Sequence, residues 1–183
     1  MVIRDAQISD INKIFELAQS LSYNDTSLAE EGFLVSGYSE DNYEKFLGKS
    51  FFYVALIEEK IVGYRLAVEV GNPAHLQNYT SFHRVTWLSN ELFEVDKLIY
   101  LAQSGTAVDY QRRGIASATL QHLINQNPNH SLFCAIAEKP LRNQASISFF
   151  EHKGFQRIGY FKPEKFKNIS EYMSGRYALI KKK

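Results

Sequence analysis

A single cysteine, Cys134, in 183 residues leaves no intrachain disulfide to be made, so nothing in the chain calls for an oxidising compartment. Nowhere do about eighteen apolar residues run together, which excludes a membrane-spanning helix. Met1-Val2-Ile3-Arg4-Asp5 lacks the apolar core of a signal peptide. Charge of one sign is also missing. The 21 Lys and Arg against 20 Asp and Glu give a formal net charge of +1, and no basic field argues for nucleic acid or an anionic membrane surface. Lys181-Lys182-Lys183 is the only basic run and reads as a solvated tail. The five histidines show no metal-ligand spacing and no second cysteine joins them, so no metal is expected. These absences describe a cytoplasmic protein with neither a nucleic-acid nor a membrane partner.

Apolar side chains are plentiful, at 45% of residues against 22% charged, enough for a sizeable core. They recur with two periods. Val2 to Gln7 reads as a strand. Ser9 is then placed as the N-cap of a helix carrying Ile11, Ile14, Phe15, Ala18 and Leu21 on one face. Ser39 to Leu47 reads as a second short helix stopped by Gly48. Phe51–Glu58 and Ile61–Val70 are β-branched and aromatic runs around Glu59-Lys60, the pattern of a hairpin. Lys97–Thr106 and Ser131–Ala137 read as strands, Gly114–Gln126 and Asn143–Lys153 as helices, and Phe155–Phe161 and Tyr172–Ile180 as the closing strands. Gly71–Val95 fits neither period. The order predicts a single mixed α/β domain over residues 1–183 with an unusual insertion at Gly71–Val95. Its central sheet is expected to be mostly antiparallel, with about seven strands and about four flanking helices.

The sharpest local signal is Asp109-Tyr110-Gln111-Arg112-Arg113-Gly114-Ile115-Ala116, between a strand and a helix. A helix N-terminus offers unpaired N–H groups and partial positive charge to a phosphate. Glycine at 114 and a small residue at 116 let an anion approach the backbone. Arg112 and Arg113 oppose the helix dipole unless an anion neutralises them. An ordinary strand-to-helix turn with solvated arginines reads equally well from these residues alone. The segment is neither a Rossmann fingerprint nor a Walker A loop, because their defining glycines and lysine are absent.

With Gln111, Gly114 and Ala116 in its three defined places, this octapeptide resembles the Q/R-x-x-G-x-G/A motif of the GNAT acetyltransferases. Asn143-Gln144-Ala145-Ser146-Ile147-Ser148-Phe149-Phe150-Glu151-His152-Lys153-Gly154-Phe155 is similar to that family's following helix, N-x-x-A/S-x-x-F/L-Y-x-x-x-G-F. The resemblance is specific over residues 97–155 and general elsewhere. It implies an acyl-CoA N-acyltransferase fold and acetyl-CoA as co-substrate. It also implies transfer of an acetyl group to a primary amine of a small molecule or peptide, by direct attack. Backbone groups of Gly105, Thr106 and Ala107 would meet the pantetheine arm as an added strand. Amides of Arg112, Arg113, Gly114, Ile115, Ala116 and Ser117 would hold the pyrophosphate, with Gln111 opening the motif. Asn143 would reach the pantetheine and Phe150 would lie near the thioester sulfur. Asn143 serves equally as an N-cap, and Phe149 reads as core.

Phe150 stands where many members of the family carry a tyrosine that protonates the departing thiolate. That departure supports a second reading, a non-catalytic acyl-CoA-binding module of the same fold. For the catalytic base the residues to weigh are Glu138, at the end of a strand, and Tyr100, on the neighbouring one; a surface carboxylate and a packed tyrosine are the plainer alternatives. A backbone N–H near Thr106 or Ala107 is the expected oxyanion donor. The acceptor side falls to Glu30, Glu31 and Phe33 in one irregular stretch and His83 and Trp87 in the other. The carboxylates there suit a cationic amine. A homodimer is compatible with the sequence but not specified by it.

Overall fold

Strands β1 (Val2–Asp5), β2 (Phe51–Ile57), β3 (Lys60–Val70), β4 (Val85–Trp87), β5 (Leu98–Thr106), β6 (Ser131–Lys139), β7 (Gln156–Phe161) and β8 (Met173–Leu179) alternate with helices α1 (Ile11–Ser20), α2 (Glu40–Phe46), α3 (Ile115–Gln126) and α4 (Gln144–His152). The computed structural model describes residues 1–23, 32–35, 37–71, 73 and 84–181. The mixed α/β expectation holds, with eight strands among the described residues where about seven are expected. The chain forms two compact units. The first comprises residues 1–27, 33–68 and 101–128, and the second residues 28–32, 69–100 and 129–183.

In the first unit β1 pairs antiparallel with β2 and β2 antiparallel with β3, and β5 follows β3 in strand order. The β2–β3 turn is Glu58-Glu59, one residue earlier than the pattern indicates, with φ of 49° and 63°. Two successive positive φ values give the turn the twist that a hairpin needs. The apolar stripe of α1 (Ile11, Ile14, Ala18) packs with Tyr43, Phe52, Val54, Tyr64 and Leu66. Two buried phenols, Tyr43 and Tyr64, donate to the Oε1 of Gln103. Burial pushes both phenols above their ordinary pKa, so they stay donors. Because side chains alternate along a strand, Gly63 and Arg65 face the other way. Arg65, 1% exposed, donates through Nη2 to Ala116 O (3.1 Å) and through Nε to Thr119 Oγ1 (3.3 Å) on α3.

The start of α1 differs from the sequence reading. Ile8–Asp10 forms a 3-10 turn ahead of the helix, with Gln7 and not Ser9 at its N-cap, and Asp10, next before α1, makes no side-chain cap bond to it. The Asp10 carboxylate accepts the Gln7 N–H (2.8 Å) and both Arg4 nitrogens (2.6 and 2.9 Å). The bond to the Gln7 N–H closes the start of the 3-10 turn, and Arg4 makes it part of a charge-assisted group. Ser39 does cap α2, accepting from Asn42 N at 3.3 Å, and Gly48 follows at φ 68°.

In the second unit the strand order is β6-β8-β7-β4, all pairs antiparallel. Leu92, Leu98, Phe133, Ile158 and Ala178 form its core, with Trp87, Phe93 and Tyr100 against them. The extra strand, β4, comes from the part of the chain that shows neither period. Val85, Thr86 and Trp87 pair with Phe161, Tyr160 and Gly159. A Cβ on Gly159 would lie 2.8 Å from Thr86 O, so this glycine admits the strand. Val85 and Leu92 are buried as their apolar character requires, while Leu88 is 59% exposed. α4 begins at Asn143, whose Oδ1 accepts from Ser146 N (3.2 Å), and ends before Gly154 at φ 84°. Phe150 is buried at 7%, and Phe149, expected in the core, is partly buried and packs against it.

Gly63 shows how closely α3 is seated in the first unit. A Cβ there would lie 2.8 Å from Ile115 Cγ2 and 3.1 Å from Gly105 O. Gly63→Ala is therefore expected to destabilise the fold by about 1–3 kcal/mol through overpacking. Urea unfolding measures it, as a lower midpoint at unchanged slope.

Candidate functional site: the turn before α3 and the residues around Glu138

After β5 the chain makes a 3-10 turn, Val108–Tyr110, then an extended Gln111, a left-handed Arg112 (φ 60°) and a left-handed Gly114 (φ 82°). Gly114 is the N-cap of α3 and supplies no side-chain acceptor. The first helical bond there is Ala118 N to Gly114 O, 2.9 Å, so Ile115, Ala116 and Ser117 present the orphan N–H groups of a helix start. A Cβ on Gly114 would meet nothing within 4 Å. Glycine is favoured there by its φ, and the space in front of the backbone is open. Arg112, Arg113 and Gly114 are exposed. The Arg113 guanidinium sits 5.1 Å and the Lys60 ammonium 5.5 Å from the Tyr110 ring centroid, so an aromatic face holds both cations. The turn is a cationic helix N-terminus with no acidic residue in its first turn.

Of the three residues expected to meet a pantetheine through the backbone, Ala107 is already engaged. Its N–H donates to Val62 O (2.9 Å), and its carbonyl accepts from Tyr110 N (2.8 Å). This takes Ala107 N–H out of the expected oxyanion role. Gly105 is explained by packing, since a Cβ there would lie 2.7 Å from Tyr64 Cε1 and 2.8 Å from Leu21 Cδ1. Thr106, the last residue of β5, is half-buried.

In the second unit Asn143 is 4% exposed. Its side chain is the N-cap and its N–H donates to Ala137 O (3.0 Å). Phe150 packs edge-on to Phe149 (5.0 Å) and Phe155 (4.9 Å). Glu138 is held on both oxygens. Oε1 accepts from Arg157 Nε (2.8 Å) and Tyr177 OH (2.9 Å), and Oε2 from Arg157 Nη2 (2.8 Å). A Cβ on Gly175 would fall 2.3 Å from Glu138 Oε1, so glycine makes the room for this carboxylate. Burial pushes the Glu138 carboxyl up, but the Arg157 and Tyr177 hydrogen bonds and the charges of Arg157 and Arg142 outweigh it and hold it below the ordinary value. A carboxylate so stabilised takes up a proton reluctantly. Burial and the Glu138 carboxylate in turn push the Tyr177 phenol well up. Tyr100 packs at 4.9 Å on Phe133.

Phe33, an expected acceptor residue, is 8% exposed and packs at 5.3 Å on Tyr23. Trp87 packs edge-on to Phe93 at 5.0 Å. Glu30, Glu31 and His83 lie outside the described residues. Sequence reasoning missed Arg157 and Tyr177, which complete the Glu138 group from strands 19 and 39 residues away. It also missed Arg176, whose alternating strand position gives no sign that it is buried. Among the described residues no group of three or more His, Cys, Asp or Glu is arranged to hold a metal, and no helix is long and apolar enough to cross a membrane.

An alternating α/β chain with an uncapped, cationic helix start after β5 has the architecture of an acyl-CoA-dependent transferase fold. A sequence model of the Acetyltransferase (GNAT) family matches residues 13–155, and the chain belongs to that family. No curated protein sequence matches it. Solved structures share the fold across nearly the whole chain. The ribosomal-protein-S18-alanine N-acetyltransferase of Escherichia coli is 15% identical at TM-score 0.65, with 97% of this chain and 92% of that one covered. NAA60 of Arabidopsis thaliana, in complex with a bisubstrate analogue, is 13% identical at TM-score 0.69, over 97% and 96%. A phosphinothricin acetyltransferase of Sinorhizobium meliloti, in complex with acetyl-CoA, is 18% identical at TM-score 0.64, over 97% and 86%.

Glu138→Gln is expected to cost about 1–3 kcal/mol at neutral pH, because it turns a charge-assisted bidentate pair into a neutral contact. A depressed carboxyl contributes stability above its unfolded pKa and loses it as pH falls through the folded one. The wild-type advantage in thermal melting should therefore shrink as the pH drops below the ordinary carboxylate range. A constant gap down to pH 3 would show that the ion pair is not its source.

Proposed function

We propose that the protein is an acetyl-CoA-dependent N-acetyltransferase acting on a primary amine of a small molecule or peptide. The observation that carries this reading is the Gln111–Ser117 turn, an uncapped helix start with left-handed Gly114 open to an anion and two arginines beside it. Helix N-termini of this kind bind phosphate through backbone N–H groups and the dipole. The family match, spanning residues 13–155, takes in this turn and the Asn143 helix together. Through the resemblance, Asn143 and Phe150 have parts to play at the acyl-CoA arm.

The reaction is direct attack of a neutral amine on the thioester carbonyl. The C–N bond forms, the C–S bond breaks, and the CoA thiolate leaves with the electron pair. A thiol pKa near 8.5 makes that thiolate a tolerable leaving group without an acid. Phe150 supplies none, so the thiolate takes its proton from solvent, to which the attacking nitrogen gives up one of its own. Glu138, held by Arg157 and Tyr177, is a weak proton acceptor, and its part is to fix the ends of β6, β7 and β8. An α-amino group, with a pKa near 8, supplies free amine at mildly alkaline pH without a protein base. Turnover is therefore expected to rise with pH through the acceptor's own pKa.

Phe150 also favours a second reading, an acyl-CoA-binding module that does not turn over. Titration calorimetry with acetyl-CoA, followed by thiol release across a panel of amines, separates the two. Saturable heat at micromolar to low-millimolar ligand together with release supports the transferase; heat alone supports the binding module. Gly114→Asn tests the site, because asparagine tolerates the left-handed φ while filling the open space. It should stay folded and lose at least about tenfold in acetyl-CoA affinity, roughly 1.4 kcal/mol. Unchanged affinity in the folded variant would move the ligand elsewhere. Phe150→Tyr should leave turnover equal or raise it.

A further inference from the structure

Arg65, on β3, is 1% exposed, and its guanidinium lies beneath the first turn of α3. Nη2 donates to Ala116 O (3.1 Å) and Nε to Thr119 Oγ1 (3.3 Å), while the Thr119 hydroxyl donates to the same carbonyl (3.2 Å). The two groups that receive these arginine bonds are neutral, and arginine keeps its charge in proteins. All of these residues belong to the first unit. A helix start carries partial positive charge, so a cation placed there opposes the dipole. Burying that cation adds a desolvation cost. Arg112 and Arg113 stand at the same end of α3 but in solvent, where the second cost is small. An apolar side chain at 65 would seat the helix without either penalty. An anion held at the turn offsets both.

The carbonyl that Arg65 holds is one end of a peptide group whose other end is the Ser117 N–H. In a trans peptide the C=O and N–H point in opposite directions, and in a helix the N–H groups point back toward its start. The Ser117 N–H is one of the three that the turn leaves without an acceptor. Two donors on the carbonyl oxygen draw electron density out of that peptide, and hydrogen bonds in such a chain strengthen one another. The Ser117 N–H therefore becomes a stronger donor toward whatever sits in front of the turn. The charge of Arg65 also acts directly. Lying out of solvent, it is screened little by salt and adds to the partial charge of the helix start.

We infer that Arg65 is a positioning residue for the phosphates of the acyl donor: from behind α3 it strengthens the anion-binding face of Gln111–Ser117 without touching the ligand. This inference rests on the transferase reading above, which supplies the donor. It adds to the exposed arginines of the turn a buried one that works through a peptide group.

The test uses the full chain and two donors, acetyl-CoA and acetyl-pantetheine, which share the thioester but differ in carrying phosphate. Arg65→Gln and Arg65→Met are both neutral, and whichever stays folded by circular dichroism serves. Calorimetry should show acetyl-CoA bound at least about tenfold more weakly, the scale of one charge acting through protein at short range. In thiol release the kcat/KM for acetyl-CoA should fall by a similar factor relative to that for acetyl-pantetheine. Arg65→Lys, which keeps a cation under the turn, should retain part of the affinity. Equal losses with the two donors would mark a merely structural part and overturn the inference. So would unchanged acetyl-CoA affinity in a folded neutral variant. Inorganic pyrophosphate keeps the two readings apart, at about 50 mM, a level that saturates a millimolar site. Should acetyl-CoA fail to bind while pyrophosphate raises the melting temperature of wild type and not of the neutral variant, the transferase reading falls and the part assigned to Arg65 stands. No response of wild type to either ligand overturns both.

Discussion

The contact that the candidate site depends on is the close approach of Ile115 to Gly63. Ile115 is the first residue of α3 and is 2% exposed. It sits against a strand that carries no side chain at the point of contact, where even one carbon would lie 2.8 Å away. Seating that residue fixes where the helix begins, and with it which three N–H groups are left without acceptors. Arg65 reinforces the seat from the same face of β3 by donating to the carbonyl of Ala116 and the hydroxyl of Thr119. The polar surface of the turn is thus aimed by an apolar contact and a buried arginine beneath it.

The two units solve one problem in different ways: how to keep polar atoms inside a sheet-based core. In the first, Gln103 gathers two tyrosine hydroxyls onto one amide oxygen, so a neutral network ties α2, β3 and β5 together. In the second, the polar groups are charged. Glu138, Arg157 and Tyr177 bring β6, β7 and β8 to a common point. Charged hydrogen bonds are stronger individually, but they bind the strands to a pH-sensitive group. The neutral network carries no such dependence, because both phenols titrate far above neutrality.

What the sequence revealed was what is encoded locally. Ser39, Asn143, Gly48, Gly114 and Gly154 mark helix ends within a turn of themselves, and the structure places all five at such ends. Ser9 misled because a 3-10 turn with Gln7 at its N-cap precedes α1, and its closing carboxylate, Asp10, is tied to Arg4 on the preceding strand. Strand β4 was illegible for a related reason. Three residues are too few to display a period, and what holds them is a partner strand more than seventy positions later, opened by Gly159. The turn before α3 was legible in its residues but not in its alternatives. Only the coordinates show that Gly105 answers to Tyr64 and Leu21, or that Ala107 has no amide to spare. Nothing in the pattern of β8 separates a buried arginine from a solvated one.

Tyr110 has a consequence for how an anion would arrive at α3. The ring holds Lys60 and Arg113 through its quadrupole and not through a carboxylate, so neither cation has to break an ion pair with it before turning to a newcomer. Their field extends into solution instead of being cancelled at the surface. Such a field fades over about 8 Å at physiological ionic strength and about 3 Å at 1 M. The pull that an approaching anion would feel at this turn therefore depends on the electrolyte around the protein.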